Sequence, residues 1–547
     1  MIPYKKSIYY YLFLSVAILY GILIVYNANL SVIDDHTLLN TILKGEKIPL
    51  FIIPEIGRFF PLAGFELNII SLFSLSPTAF YIFNSFQFIV LVFLIYEMIY
   101  KIGGKDRINL SILTILILIL TPGFVTAWLR LFVPERNVLF FLTIFLFFFL
   151  KYQETSKIQY AIYAVLSANI ALYYKEPVFI MLGSFAFFYL LFGWRENNIQ
   201  QKILNFLLIV SSLIFFLLYF FIVYLNRGDV LYGKTNINYF IQFFKIAFNY
   251  ALSDPVLILI VLPLAIYRTY VIIKSRKAQP LYDSLLFSSV IYVLIFFKLN
   301  IFSYHYLLPA YIFGIFGSFY YIVNEGLYKK LIIKLLLFLS LIFLVFSSLP
   351  NSLHLISHYK NVPNNYQKTL DFLRNYISAE YNKGYRTSIF LDGVNRNTGV
   401  EIYHSFIMYL EYKGLTPVQF DMKTNEDDNN ILAFVKRDKN SPYTVEKQAN
   451  SSQLMCGDLV IVSPSTTKYI DLKKSEINKM NKDFDLLFKT NSFMEIPNLG
   501  IKSLVKYLFI KKRYLEDKSG AILFKNIFGL PLDFYVFKMK CKNERNQ

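Results

Sequence analysis

Residues 31–40 read SVIDDHTLLN, with Asp34 and Asp35 side by side and His36 next, just past an apolar run. Adjacent carboxylates repel one another and resist desolvation, so their placement beside a hydrophobic segment needs a reason. One reason is chemical: a carboxylate within reach of a hydroxyl is a general base, and a like-charged neighbour raises its affinity for the proton. Another is local: Asp34 or Asp35 N-caps a helix whose apolar face is Leu38, Leu39, Ile42 and Leu43. Capping accounts for one carboxylate better than for two.

More residues of the same kind recur at the ends of apolar stretches. GRFFPLAG supplies Arg58, and TPGFVTAWLRLFVPERN supplies Arg130, Glu135 and Arg136. YYKEP supplies Lys175 and Glu176, and NRGDVLYGKTN supplies Arg227, Asp229 and Lys234. KLNIFSYHY supplies Lys298, His305 and Tyr306. Arginine grips phosphate oxygens in a fork and lysine adds positive charge, so such a set suits a departing phosphate. Each also has a local reading. Lys175 and Glu176 form an interfacial pair, with Pro177 opening the next helix. Arg130 and Arg136 snorkel to headgroups, and His305 joins an aromatic belt. No GxGxxG, Walker, GxSxG or HExxH motif offers a competing enzyme class. The two cysteines, Cys456 and Cys541, lack metal-ligand spacing; in an oxidising compartment they are able to pair.

The elements that must hold these residues follow from composition. The 547-residue chain is 56% hydrophobic and 18% aromatic, with a mean hydropathy of +0.47. That is too apolar for an ordinary soluble globule and fits a polytopic membrane protein. A net charge of +19 points to anionic partners such as lipid headgroups. The basic residues come in small clusters between apolar runs, which argues against nucleic acid. Crossing the hydrocarbon core takes about 20 apolar residues. Eleven stretches qualify, near 8–28, 78–100, 108–127, 137–151, 158–174, 177–193, 203–225, 255–273, 282–299, 306–323 and 331–349. The first has no small-residue cleavage site and reads as a retained span. With a cytoplasmic N-terminus, every inner loop is basic, RTYVIIKSRK most of all. The charged set above then gathers on the outer face. Past Pro350 the pattern changes to alternating helix and strand: helices ending at Gly384 and Gly414, and strands in YRTSIFLDG, DLVIVSPS, FDLLFKT and FYVFKMK. The expected fold is an α-helical polytopic membrane protein of about 11 transmembrane helices over 1–350, followed by an extracytoplasmic α/β domain over 351–547.

IDDHTLLN after the first span, GRFFPLAG, YYKEP and YHYLLPAY together resemble the GT-C glycosyltransferases, the integral membrane enzymes that use polyprenyl-phosphate sugars. That superfamily includes protein mannosyltransferases, aminoarabinose transferases of lipid A and lipopolysaccharide-modifying transferases. The resemblance covers about residues 1–350. It implies transfer of a sugar from a polyprenyl-phosphate donor to a glycolipid, polysaccharide or protein acceptor, with inversion, at the outer face of the cytoplasmic membrane. It further implies that Asp34, Asp35 and Glu176 are catalytic, and that His36, Arg58, Arg130, Arg136, Lys175, His305 and Tyr306 bind substrate. No resident cofactor is indicated. Some relatives need a divalent cation such as Mg2+ or Mn2+, and Asp34, Asp35, Glu176 and His305 are the residues that would hold one, although no ligand spacing calls for it. The rival classes are a transporter or flippase, whose polar groups belong near the bilayer midplane, and an O-antigen polymerase or ligase.

Overall fold

A computed structural model describes residues 8–35, 38–39, 41–104, 107–227, 239–391, 399–424, 456–464, 484–516 and 528–541. His36, Asp229 and Lys234 lie outside the described residues. The chain forms two compact units. The first comprises 1–25, 49–74 and 79–352; the second comprises 26–48, 75–78 and 353–547. The loop bearing Asp34 and Asp35 thus groups with the C-terminal segment, an association that a division at residue 350 does not contain.

The first unit is helical. Each of the eleven apolar stretches carries helix. Among the described residues, six helices are long and apolar enough to cross a membrane: Pro77–Gly103, Pro134–Thr155, Ile199–Tyr224, Leu257–Ser275, Pro280–Leu299 and the one that starts at Leu331. Four shorter apolar helices, Tyr10–Val25, Ile158–Leu172, Val178–Gly193 and Leu308–Val323, accompany them. Their outward faces carry apolar side chains, Leu19, Phe206 and Ile273 among them, as a lipid-facing surface requires.

The stretch 108–127 is not one straight span. Ile108–Ile119 and Pro122–Leu129 meet at a bend of 63°, and the pair counts as a seventh span only if both halves are taken together. Pro122 disfavours helical backbone at the residue before it. Thr121 is accordingly extended, at ψ 148°, and caps the second half by accepting from the Phe124 N–H at 3.3 Å. All of Pro122–Leu129 is buried. Tyr239–Ser253 is a further helix that the apolar scan missed, because Gln242, Lys245 and Asn249 interrupt its apolar residues. A two-residue hairpin, β1 (Ile52–Ile53) against β2 (Arg58–Phe59), pairs Ile53 with Arg58.

The second unit is α/β. Its strands are β3 (Thr387–Leu391), β4 (Phe420–Thr424), β5 (Leu459–Val462), β6 (Phe484–Lys489) and β7 (Tyr535–Met539), in sheet order β4-β3-β5-β7-β6. The first three are parallel; β7 runs antiparallel to both β5 and β6. Residues expected as strands in four segments are strands, and β4 is additional. Phe390, Val460, Val462, Tyr535 and Phe537 form the sheet's core. The Leu349–Asn382 helix starts well before the expected amphipathic segment and passes through Pro363. A π-helical turn at Leu344–Ser348 precedes it, and this wider turn relieves the clash that the Pro350 ring would otherwise make one turn back. Tyr366 of that helix meets Phe406 and Tyr409 of the Gly399–Tyr412 helix, with ring centroids 5.0 and 5.4 Å away. Cys456 and Cys541 are bonded to each other, tying the start of β5 to the end of β7.

Candidate functional site

Three consecutive side chains of YYKEP organise the first unit's polar interior. Tyr174 donates to Glu66 Oε2 at 3.2 Å. Lys175 Nζ pairs with Glu135 Oε1 at 2.9 Å. Glu176 Oε1 accepts from Arg58 Nε at 3.1 Å and from the Phe59 backbone N–H at 3.0 Å. The local Lys175–Glu176 pair therefore gives way to two long-range ones. PERN supplies the reciprocal half: Glu135 takes Lys175, while Arg136 Nη2 and Asn137 Nδ2 approach Glu66 Oε1 at 3.4 and 2.6 Å. The two segments are thus joined directly by the Lys175–Glu135 pair and indirectly through Glu66, which takes Tyr174 from one and Arg136 and Asn137 from the other.

Glu135 is the centre of the constellation. It is fully buried at the start of the Pro134–Thr155 helix, and His305 Nε2 lies 3.8 Å from its second oxygen. A buried carboxylate persists only when paired. Lys175 Nζ also stands over two rings, 5.5 Å from the centroid of Phe60 and 5.1 Å from that of Tyr306. The Arg58 guanidinium lies 4.7 Å from the Phe60 ring, so this one aromatic serves two cations. Phe60 and Arg58 are placed by the β1–β2 hairpin, where Gly57 adopts φ 75°, a left-handed backbone that glycine takes without a Cβ penalty. His305 Nδ1 is 3.0 Å from Ser303 Oγ, and the Tyr306 ring stacks on Phe296.

The loop carrying His305 rests on the buried half-helix. A Cβ at Gly123 would collide with the Tyr304 carbonyl oxygen and crowd its carbonyl carbon, with the His305 Cα in van der Waals contact beyond them. Glycine is what allows the two backbones to approach this closely.

Five of the residues expected at the site are therefore brought together within the first unit: Arg58, Lys175, Glu176, His305 and Tyr306. Arg136 is placed differently from the expectation that it binds phosphate. Its guanidinium is fully buried, and Nη1 donates to the carbonyls of Ala127, Arg130 and Leu131 at 3.3, 3.0 and 3.1 Å. It closes the C-terminus of the half-helix, where carbonyls lack intrahelical partners. It does not snorkel. Arg130 is half-buried, and its own carbonyl is one of those acceptors. Residues the sequence reading passed over are Glu66, Asn137 and Tyr174; Glu135 was named in the charged set but given no role. The signal for Glu66 and Glu135 was present: each is an acid inside an apolar run and had to find a partner.

In the second unit, the first Asp pair resolves into two environments. Tyr409 donates to the Ser31 carbonyl at 3.3 Å and Gln367 Nε2 to the Leu30 carbonyl at 3.1 Å, so the Gly399–Tyr412 and Leu349–Asn382 helices both hold this loop. Asp35 is buried, and its Oδ2 accepts from the Ser31 N–H at 2.7 Å, closing a turn backwards along the chain. Asp34 is half-exposed and has φ 69°, uncommon for a residue with a side chain. Among the described residues, no three His, Cys, Asp or Glu side chains converge as a cation site.

No family model matches the chain, and no curated protein does. Among solved structures, the oligosaccharyltransferase of Archaeoglobus fulgidus, crystallised with zinc and sulfate, is similar over 96% of this chain and 88% of its own, at 11% sequence identity and a TM-score of 0.40. An overlap that loose does not define a shared fold.

Proposed function

We propose that this chain is an integral membrane glycosyltransferase. It transfers a sugar from a polyprenyl-phosphate donor to a glycolipid, polysaccharide or protein acceptor of the cell envelope, at the outer face of the cytoplasmic membrane. The observation that carries the reading is the gathering of Arg58, Lys175, Glu176, His305 and Tyr306 around buried Glu135 in a chain built of apolar helices. Cations held in a site of low polarity stabilise charge that develops on a leaving phosphate.

The roles follow from the surroundings of each group. Lys175, Arg58 and His305 offset the charge of the departing phosphate, with Glu135 and Glu176 holding them in place. Asp34 or Asp35 is the general base. The acceptor hydroxyl gives its proton to that carboxylate as its oxygen bonds to the anomeric carbon. The bond from that carbon to the phosphate oxygen breaks, and polyprenyl phosphate leaves with the electron pair. A single displacement of this kind inverts the anomeric centre.

The test is sugar transfer from a polyprenyl-phosphate donor by purified protein, with folding checked by thermal unfolding in detergent. Asp34→Asn and Asp35→Asn each keep size and hydrogen bonding but remove a carboxylate, and in at least one of them transfer is expected to fall on the order of 10²-fold or more. Near-normal turnover in both Asp34→Asn and Asp35→Asn would remove the base assignment, and no transfer by wild-type protein from any such donor would remove the proposal.

A further inference from the structure

The Ile501–Glu516 helix of the second unit reads IKSLVKYLFIKKRYLE. It carries five basic residues, Lys502, Lys506, Lys511, Lys512 and Arg513, against one acid, Glu516. One side of it faces its own unit: Ser503 is buried, and the Tyr507 ring meets Phe528 at 5.4 Å. Leu504, Val505, Leu508 and Phe509 follow the i, i+1, i+4, i+5 spacing of a single helix face. They are 43, 43, 64 and 68% exposed. Lys506 is exposed beside them. An uncovered apolar face of this size on an ordered helix marks an interaction surface.

Charge selects the occupant. Protein–protein interfaces are depleted in lysine, whereas helices that lie in the plane of a membrane combine an apolar face with a Lys/Arg-rich polar one. Five basic residues to one acid complement an anionic leaflet, and a chain with six bilayer-length apolar helices among its described residues resides where such a leaflet is at hand. We propose that Ile501–Glu516 docks on the anionic lipid surface, with Leu504, Val505, Leu508 and Phe509 immersed at the headgroup–acyl boundary. This requires only that the chain is membrane-embedded and does not depend on the transfer reaction.

The experiment uses the full chain in nanodiscs. Both native cysteines are bonded to each other, so Leu508→Cys provides the thiol for a nitrobenzoxadiazole label. Discs of phosphatidylcholine alone are compared with discs that include phosphatidylglycerol. In anionic discs the label is expected to shift to the blue and to be quenched by brominated lipid, and salt should reverse both. Each basic side chain near an anionic leaflet shifts the docked equilibrium about fivefold, so Lys502→Gln with Lys506→Gln should shift it about 25-fold toward the undocked state. A label exposed to water in both kinds of disc would overturn the proposal. So would a label shielded in both but untouched by brominated lipid, which means that protein covers the face. Energy transfer between differently labelled copies would assign the face to a second chain and equally refute lipid docking.

Discussion

Glu135 and Lys175 offer a direct measure of how the polar interior is held. Their oxygen and nitrogen are 2.9 Å apart, and neither side chain is more than 8% exposed. At an effective dielectric of 20, two unit charges at that distance attract by about 6 kcal/mol. Desolvating both ions opposes this with several kcal/mol each, so the intact pair contributes little net stability. Removing one member is different, because the survivor remains buried and unpaired, a loss of about 3–5 kcal/mol. Glu135→Gln and Lys175→Met should each destabilise by that amount. The double variant should return to within about 1–2 kcal/mol of wild type, since a neutral pair has nothing left uncompensated. Denaturant-induced unfolding in mixed micelles supplies the four corners of the cycle. Single variants costing less than about 1 kcal/mol, or a double variant equal to the sum of the singles, would refute the picture of an interlocked buried pair.

Arg136→Lys should lower folded yield while leaving the donor KM of the surviving protein unchanged, because lysine cannot reproduce a fork that reaches three carbonyls; a raised KM with normal yield would restore the phosphate-binding role. Replacing Cys456 and Cys541 with serine frees a loop with a sequence separation of 85 residues, and the chain-entropy model gives a loss of about 4–5 kcal/mol; an unchanged thermal transition in the serine variant would contradict it. Reporter fusions at Lys277 and Asn361 should read cytoplasmic and extracytoplasmic respectively, as the basic loops require; the reverse at either position would defeat the orientation.

Apolar runs made the helices of the first unit legible, since length and hydropathy are local properties of the sequence. The break at Thr121–Pro122 was less so. Pro122 announced a perturbation, but whether a helix kinks or splits depends on what covers its freed backbone groups, and here Arg136, from the first turn of the following helix, closes the second half. The candidate residues were legible by type and by their position at span ends, and Arg58, Lys175, Glu176, His305 and Tyr306 do adjoin one another. Their pairings were not legible. Lys175 beside Glu176 invites a local bond, while the structure sends each to a different segment, because neighbours in a loop point to different sides. The second unit's β3, β5, β6 and β7 could be read from short apolar runs bounded by turns. Strand β4, FDMKT, could not, because two of its five residues are charged. Nor could the attachment of the Asp34–Asp35 loop to the C-terminal segment, to which contacts scattered over Asn364, Gln367, Tyr409 and Phe493 contribute.

Gly123 makes the position of His305 sensitive to a residue that need never touch a substrate. Even a methyl group there must displace the Tyr304 backbone, and His305 is its immediate neighbour in the chain. The surroundings of this histidine can therefore drift in two very different ways over generations. Lipid-facing positions can exchange one apolar residue for another almost without consequence, whereas at position 123 a single added carbon is enough to displace the backbone one residue before His305. An evolving lineage, or a directed-evolution library, would meet a hard boundary at this glycine. Escape from it would require a compensating deletion or rearrangement in the 301–305 loop, so the two segments are bound to change together or not at all.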